Sequence, residues 1–205
     1  MPRTARTLVI ACGAIAHELV AMRERMAWPE LAIQCLPADW HNRPERIAPG
    51  VEAKLESARG QFDKVFVAYA DCGTGGELDA VLARFGVERL AGSHCYEFFA
   101  GANAFEALAE EELGTFYLTD FLARHFERLI IHGLGIDRHP ELLPMYFGNY
   151  KRLVYLAQRD ASELDARAED AARRLGLEYL RVATGLEPLA GQLVHFGVAP
   201  QHQGV

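Results

Sequence analysis

The sequence predicts an α/β fold in which a mostly parallel sheet carries helices on both faces. Short runs that are apolar at every position, such as residues 65–70, are typical of buried parallel strands. Segments with apolar residues at helical spacing, such as 15–26 and 161–175, lie between such runs. This alternation is characteristic of Rossmann-like and flavodoxin-like folds. The 205 residues, half of them apolar, are enough for a single domain spanning 1–205.

The individual elements follow from these periodicities and from turn residues. Strands are predicted at 7–13, 31–36, 65–70, 87–91, 152–157 and 177–182, with 114–119 as a strand or an extended loop. Helices are predicted at 15–26, 51–60, 77–85, 95–113 with a break near Gly101, 121–132, 141–150, 161–175 and 187–194. Asp120 is the expected N-cap of the helix at 121–132, and Gly176 ends the helix at 161–175. Residues 95–150 are largely helical and could form a lid or insertion.

Composition limits the classes of function. The net charge of −7 and the pI near 5.6, with no basic face, argue against nucleic-acid binding through phosphate neutralisation. No run approaches the ~20 apolar residues that span a membrane, and the N-terminus lacks a signal-peptide core. We therefore expect a cytoplasmic protein without a membrane partner. In that reducing compartment, four cysteines favour free, catalytic or metal-bound thiols over disulfides.

Three cysteines follow three different predicted strands. Cys12, Cys72 and Cys95 each come just after a strand and at or before a helix. Because parallel strands end at one edge of a sheet, we expect the three thiols to meet there. Helix N-termini favour the thiolate, which binds zinc or iron well. Cys35, within a strand, is predicted to be a core residue.

Two histidines could complete a tetrahedral site with these thiols. His94 precedes Cys95, and His41 lies in residues 38–50, a long loop with two prolines. Either could be the fourth ligand, as could an exogenous molecule. The alternative for each is a hydrogen-bonded surface histidine.

A glycine-rich turn and a hydroxyl-rich segment are candidate cofactor contacts. Gly73, Thr74 and Gly75 lie between a strand and a helix, where backbone N–H groups could hold a phosphate. The sequence there is neither GxGxxG nor a P-loop, so a tight turn close to a ligand is the preferred interpretation. Thr115, in the segment 114–120, could line a pocket.

Five motifs in order resemble the bacterial and archaeal family called domain of unknown function 1638 (DUF1638). They are CG at 12–13, LPADWHNRP at 36–44, YADCG at 69–73, GSHCYE at 92–97 and GTFYLT at 114–119, within a match from about residue 7 to 185. Family members share cysteines that match Cys12, Cys72 and Cys95 and a loop histidine that matches His41. Many read His-Asp-Cys where this chain has Ser93-His94-Cys95, which favours His41 over His94 as a ligand.

The resemblance implies a link to one-carbon metabolism, since members often lie near genes for corrinoid-dependent methyltransferases. The leading hypothesis is a protein that binds zinc or an iron-sulfur cluster and acts on a small molecule or with a corrinoid methyltransferase system. Zinc could activate a thiol or another methyl acceptor, and a cluster could pass electrons to the corrinoid partner. The alternatives are a non-catalytic small-molecule-binding or accessory protein, and a metal-free thiol enzyme that uses Cys72 as its nucleophile.

Overall fold

Two parallel sheets, one in each of two units, form the framework of the part of the chain that the computed structural model describes, residues 6–195. The first unit comprises 6–98 with 189–195, and the second comprises 99–188. Helices pack around both sheets, which confirms the predicted α/β class. The two chain crossings between the units fall within helices α4 (Cys95–Ala100) and α9 (Glu187–His195). A lid role for residues 95–150 stays a prediction.

The first unit contains a four-stranded sheet in the order β2-β1-β3-β4, with every pair parallel. The chain runs through β1 (Thr7–Cys12), α1 (Ala16–Arg25), β2 (Leu31–Leu36), α2 (Ile47–Ala58), β3 (Lys64–Ala68), α3 (Glu77–Phe85) and β4 (Glu88–Arg89). In the register, Ala11 lies opposite Ala68 of β3, and Cys12 lies opposite Leu36 of β2. The buried strand β1 therefore lies between β2 and β3.

One face of this sheet forms a hydrophobic core with α2 and α3. Its members include Ile10, Val67 and Tyr69 of the strand side and Leu55 and Leu78 of the helices. Alternate residues of each strand face this core because strand side chains alternate between the two faces.

Helix α2 begins four residues earlier than predicted, at Ile47 instead of residue 51, and includes Pro49 and Gly50. Proline is tolerated there because the first N–H groups of a helix have no intrahelical partner. Gly50 is required by packing, since a Cβ at this position would lie 2.2 Å from the Trp40 ring. The first turn of α2 therefore packs closely against Trp40, a contact that local sequence signals do not reveal.

The second unit contains a three-stranded parallel sheet in the order β5-β6-β7. The chain runs through α5 (Ala102–Glu111), β5 (Thr115–Thr119), α6 (Asp120–Phe126), a π-helical turn (Glu127–Ile131), α7 (Leu142–Phe147), β6 (Arg152–Ala157), α8 (Ser162–Leu175) and β7 (Glu178–Ala183). The alternative of a strand at 114–119 is thus confirmed.

Helix α6 differs from its prediction at both ends. Its N-cap is Thr119, whose hydroxyl accepts a hydrogen bond from the Leu122 amide at 3.3 Å, and Asp120 is the first helical residue. The regular helix ends near His125, whose φ/ψ of −113° and 17° are not helical. Arg167 donates a hydrogen bond to the carbonyl oxygen of Arg124 at this kink. The Asp120 carboxylate instead accepts hydrogen bonds from the Tyr155 hydroxyl and the Gln158 backbone amide. Preferences for N-cap residues do not predict such contacts with distant parts of the chain.

Among the described residues, no helix has both the length and the apolar character needed to span a membrane. The tail from residue 197 that the sequence predicts to be frayed lies outside the described residues.

Candidate thiol site

The structure places the three predicted cysteines after three neighbouring strands of the first unit. Cys12 is the last residue of β1 and the N-cap of the short 3₁₀ turn Gly13–Ile15. Cys72 follows β3 by four residues, and Cys95, beyond β4, begins α4. All three side chains are partly buried, and Cys12 and Cys72 pack against the same hydrophobic core.

Backbone hydrogen bonds join the segments that carry Cys72 and Cys95. The amide of Asp71 donates to the Gly92 carbonyl at 3.1 Å, and the amide of Cys72 donates to the Ser93 carbonyl at 2.9 Å. The loop after β3 is therefore fixed to the segment that leads into Cys95.

The Ala14 amide donates a hydrogen bond to Cys12 Sγ at 3.4 Å. Backbone groups of Ala70 and Cys95 oppose the rise that burial causes in the pKa of Cys72, and those of Cys95 and Tyr96 oppose the rise in the pKa of Cys95. Such N–H groups stabilise negative charge on sulfur, which is the form that binds metals.

These N–H groups do not lower the pKa values of the three thiols below that of an ordinary cysteine. Burial, followed by the charge of Cys12, raises the pKa of Cys72 from 9.0 to about 11. Burial, followed by the charges of Cys72 and Cys12, also raises the pKa of Cys95. Burial raises the pKa of Cys12, although the Ala14 amide and Tyr69 oppose the change. The expectation that helix N-termini lower these pKa values is therefore wrong, because burial, together with neighbouring charges at Cys72 and Cys95, outweighs the N–H groups.

These charge effects also show that the three thiols lie close enough to interact with one another. Within residues 6–195, however, no group of three His, Cys, Asp or Glu side chains is arranged to hold a metal ion. Binding of a metal by the three sulfurs therefore requires movement of their side chains.

The glycine turn after β3 surrounds an internal carboxylate. Asp71 accepts hydrogen bonds from the amides of Gly73 at 3.2 Å, Gly75 at 3.3 Å and Gly76 at 3.1 Å, and from the Thr74 hydroxyl at 2.9 Å. The N–H groups that the phosphate interpretation needs are therefore directed at Asp71. This carboxylate gives the turn a fixed conformation.

Cys72 lies at the start of this turn in the left-handed region, with a φ of 50°. A non-glycine residue there costs of the order of 1 kcal/mol and persists only where surrounding contacts enforce it. The contacts here are the Asp71 carboxylate and the bond from the Cys72 amide to Ser93. These hydrogen bonds therefore keep Cys72 in the strained left-handed conformation and fix the position of its thiol.

Thr115, the remaining predicted cofactor contact, belongs to the second unit. It is the first residue of β5, and so lies at the amino end of that strand instead of the carboxyl end. Its hydroxyl donates to the Glu112 carbonyl at 2.5 Å and accepts from Arg152 Nε at 2.9 Å. These bonds give Thr115 a structural role at the start of the strand.

The two candidate histidines lie near each other. His41 is in the 3₁₀ turn Ala38–Asn42, His94 directly precedes α4, and both residues are exposed. Desolvation of the imidazole and the charge of His94 lower the pKa of His41. The structure therefore places the two histidines close enough for their charges to interact, and a ligand role for either one stays a prediction.

Tyr69 is a member of the site that the sequence analysis missed. Its side chain is 2 % exposed, and its hydroxyl is buried without a hydrogen bond of normal geometry to any residue in the described part of the chain. The hydroxyl nevertheless lies beside Cys12 closely enough to act against the rise in the pKa of that thiol. The signal in the sequence was the single hydroxyl-bearing side chain in the apolar run at 65–70.

Two other residues differ from expectation. Cys35 is exposed, whereas the sequence predicts a core residue; it lies on β2, which is at the edge of the sheet. An edge strand has less cover than a central one. Glu18, which the sequence gives no reason to bury, is 5 % exposed in α1.

The comparison with protein families agrees with the motifs. Residues 35–193 match the model of a family described as protein of unknown function (DUF1638), and the chain belongs to that family. No curated protein and no solved structure gives a significant match.

Proposed function

We propose that this member of the DUF1638 family binds zinc or an iron-sulfur cluster through Cys12, Cys72 and Cys95 and serves methyl-group metabolism. The observation that carries the proposal is that Cys12, Cys72 and Cys95 follow three neighbouring strands and lie close enough for the charge of Cys12 to act on the other two thiols. The parallel sheet brings the backbones of the three residues to one edge, and a change of side-chain conformation would bring the sulfurs onto a common cation.

Electrostatics supports a cation at this place. Burial, followed by the charges of neighbouring thiols, raises the pKa values of Cys72 and Cys95. A bound metal replaces that repulsion with attraction and deprotonates the thiols, and the backbone N–H groups then stabilise the thiolates. The same residues that disfavour thiolates in the metal-free chain thus favour them around a cation.

The fourth ligand position distinguishes the possible chemistries. His41 or His94 could occupy it, as could a substrate, since catalytic zinc and some clusters keep one position open. Bound zinc would lower the pKa of a thiol or another methyl acceptor, whereas a cluster would transfer electrons. The link to methyl-group metabolism and to a corrinoid methyltransferase system is supported by the family resemblance alone.

A metal-free thiol enzyme is less well supported. A nucleophilic cysteine needs a depressed pKa, whereas that of Cys72 is raised to about 11. No histidine appears among the groups that shift the pKa of Cys72.

The test is metal and sulfide analysis of protein purified with and without oxygen. We expect one zinc per chain in a colourless sample, or iron with acid-labile sulfide in a coloured anaerobic one. Cys12→Ser, Cys72→Ser and Cys95→Ser should each lose most of the metal, and the exposed Cys35→Ser should retain it. Protein that takes up neither metal, with all three thiols open to a thiol reagent, would contradict the proposal.

A further inference from the structure

An open groove of about 500 Å³ runs between helices α6 and α8 of the second unit. Ala123 of α6 and Ala166 of α8 are among its lining residues, together with charged side chains of both helices. Because alanine side chains are short, another helix can approach this part of the surface closely.

The charged side chains that α8 contributes to the groove form a stripe on one face of the helix. They are Glu163, Arg167, Asp170 and Arg174, at spacings of four, three and four residues, which is the repeat of a single helix face. Their exposed fractions lie between 39 % and 77 %. The sign of the charge therefore alternates along an accessible stripe, beginning with an acidic residue and ending with a basic one.

This order of charges is self-complementary. In an antiparallel pair of α8 helices centred between residues 168 and 169, Glu163 lies opposite Arg174 of the partner subunit, and Arg167 lies opposite Asp170 of the partner subunit. The twofold axis repeats both pairs. A parallel pair in register would instead place like charges opposite one another. Self-complementarity of this kind is what an interface between two identical chains requires.

The ion pairs within the chain are compatible with such an interface. Arg167 pairs with Glu163 at 2.8 Å, Arg174 pairs with Glu127 at 2.5 Å, and Asp170 pairs with Arg173. Exposed pairs of this kind contribute little to stability. A guanidinium also has more donors, and a carboxylate more acceptor sites, than one such pair uses. The same side chains can therefore bond to a second chain.

We propose that the groove between α6 and α8 is a dimer interface, in which α8 of a second copy of this chain lies antiparallel to α8. The alternating charges set the orientation and register of the two helices, and the alanines allow their close approach. The inference concerns residues of the second unit alone and does not depend on the proposed metal site.

Charge reversal on either side of the pair formed by residues 167 and 170 tests this interface. Arg167→Glu alone places a glutamate opposite the partner's Asp170, and Asp170→Arg alone places an arginine opposite the partner's Arg167. In analytical ultracentrifugation we expect the wild type to form dimers and each variant to dimerise at least tenfold more weakly. An equimolar mixture of the two variants should regain the dimer, because the introduced glutamate then faces the introduced arginine.

Arg59→Glu is the matched control. It makes the same change of charge at an exposed ion pair of the first unit, with Glu56 at 2.8 Å, and should leave dimerisation unchanged. Circular dichroism checks that the single variants fold. If either does not, the double variant Arg167→Glu/Asp170→Arg decides, since it keeps opposite charges in register and should dimerise as the wild type does. A wild-type chain that is monomeric at every concentration, a dimer that neither reversal weakens, or a loss that neither the mixture nor the double variant restores would overturn the inference.

Discussion

The carboxyl ends of the strands carry buried polar groups in both units, but the two sets differ in how well they are satisfied. In the second unit, fully buried Asp120 accepts hydrogen bonds from the Tyr155 hydroxyl at 2.7 Å, the Gln158 amide at 3.1 Å and Arg159 Nε at 3.1 Å. In the first unit, burial, followed by the charges of Cys72 and Cys12, raises the pKa of Cys95, and the Tyr69 hydroxyl lies beside Cys12. The carboxylate in the second unit therefore has donors that stabilise its charge, whereas the thiols in the first unit are disfavoured as thiolates.

This difference is the basis for proposing a ligand site at the edge of the first sheet. Burying a polar group without a partner destabilises a fold, so most such groups are paired within the protein. A cluster that remains unpaired, next to a residue in a strained left-handed conformation, is typical of a site whose partner comes from outside. The Asp120 network has no such deficit and is best understood as structural support.

The largest effect is expected from Asp120→Ala, which leaves the Tyr155 hydroxyl and the Gln158 amide buried without their acceptor. The free energy of unfolding should fall by about 3 kcal/mol, as measured by urea denaturation. Arg159→Gln should cost less, about 1 kcal/mol, because that side chain is half exposed. Metal bound per folded chain should stay constant in both variants. A loss of metal with unchanged stability would reverse the roles assigned to the two edges.

A smaller effect concerns the reactivity of Cys72 in metal-free protein. With a pKa raised from 9.0 to about 11, its thiolate fraction at pH 8 is roughly 100-fold below that of an ordinary cysteine. Alkylation by iodoacetamide, followed by peptide mass spectrometry, should therefore be slow at pH 8 and accelerate about tenfold per pH unit towards pH 11. Exposed Cys35 should react first. Rapid alkylation of Cys72 at neutral pH would favour the thiol-enzyme alternative.

The smallest effect is expected on stability, from the strained backbone conformation of Cys72. Both Cys72→Gly and Cys72→Ala remove the thiol, but only glycine adopts a φ of 50° without strain. The glycine variant should be more stable than the alanine variant by about 1 kcal/mol in metal-free protein. The comparison requires thermal unfolding of both variants under identical conditions. Equal stability would mean that Asp71 and its glycine turn do not hold this residue under strain.

Much of the site could be predicted because it depends on strand ends. Runs of apolar residues located β1 and β3, and parallel strands must end at a common edge, so the approach of Cys12 and Cys72 followed from the order of elements. The position of Cys95 followed in the same way from β4. These inferences need only local hydrophobicity and the geometry of a parallel sheet.

Other features could not be predicted because they depend on partners distant in sequence. Asp120 was expected to be the N-cap of α6, but its carboxylate accepts a hydrogen bond from the backbone amide of Gln158, 38 residues away. The early start of α2 depends on how Trp40 packs against Gly50. The exposure of Cys35 depends on the position of β2 in the sheet, which its own apolar surroundings do not reveal.

By itself the sequence determined the α/β class, the order of the elements and the set of cysteines at the strand ends, since hydrophobic periodicity and glycine turns are local properties. Only the tertiary structure decided the direction in which the pKa values of the thiols shift and the placement of the Tyr69 hydroxyl beside Cys12. The shifts depend on burial and on the distances between charges, and neither exists until distant parts of the chain have packed together.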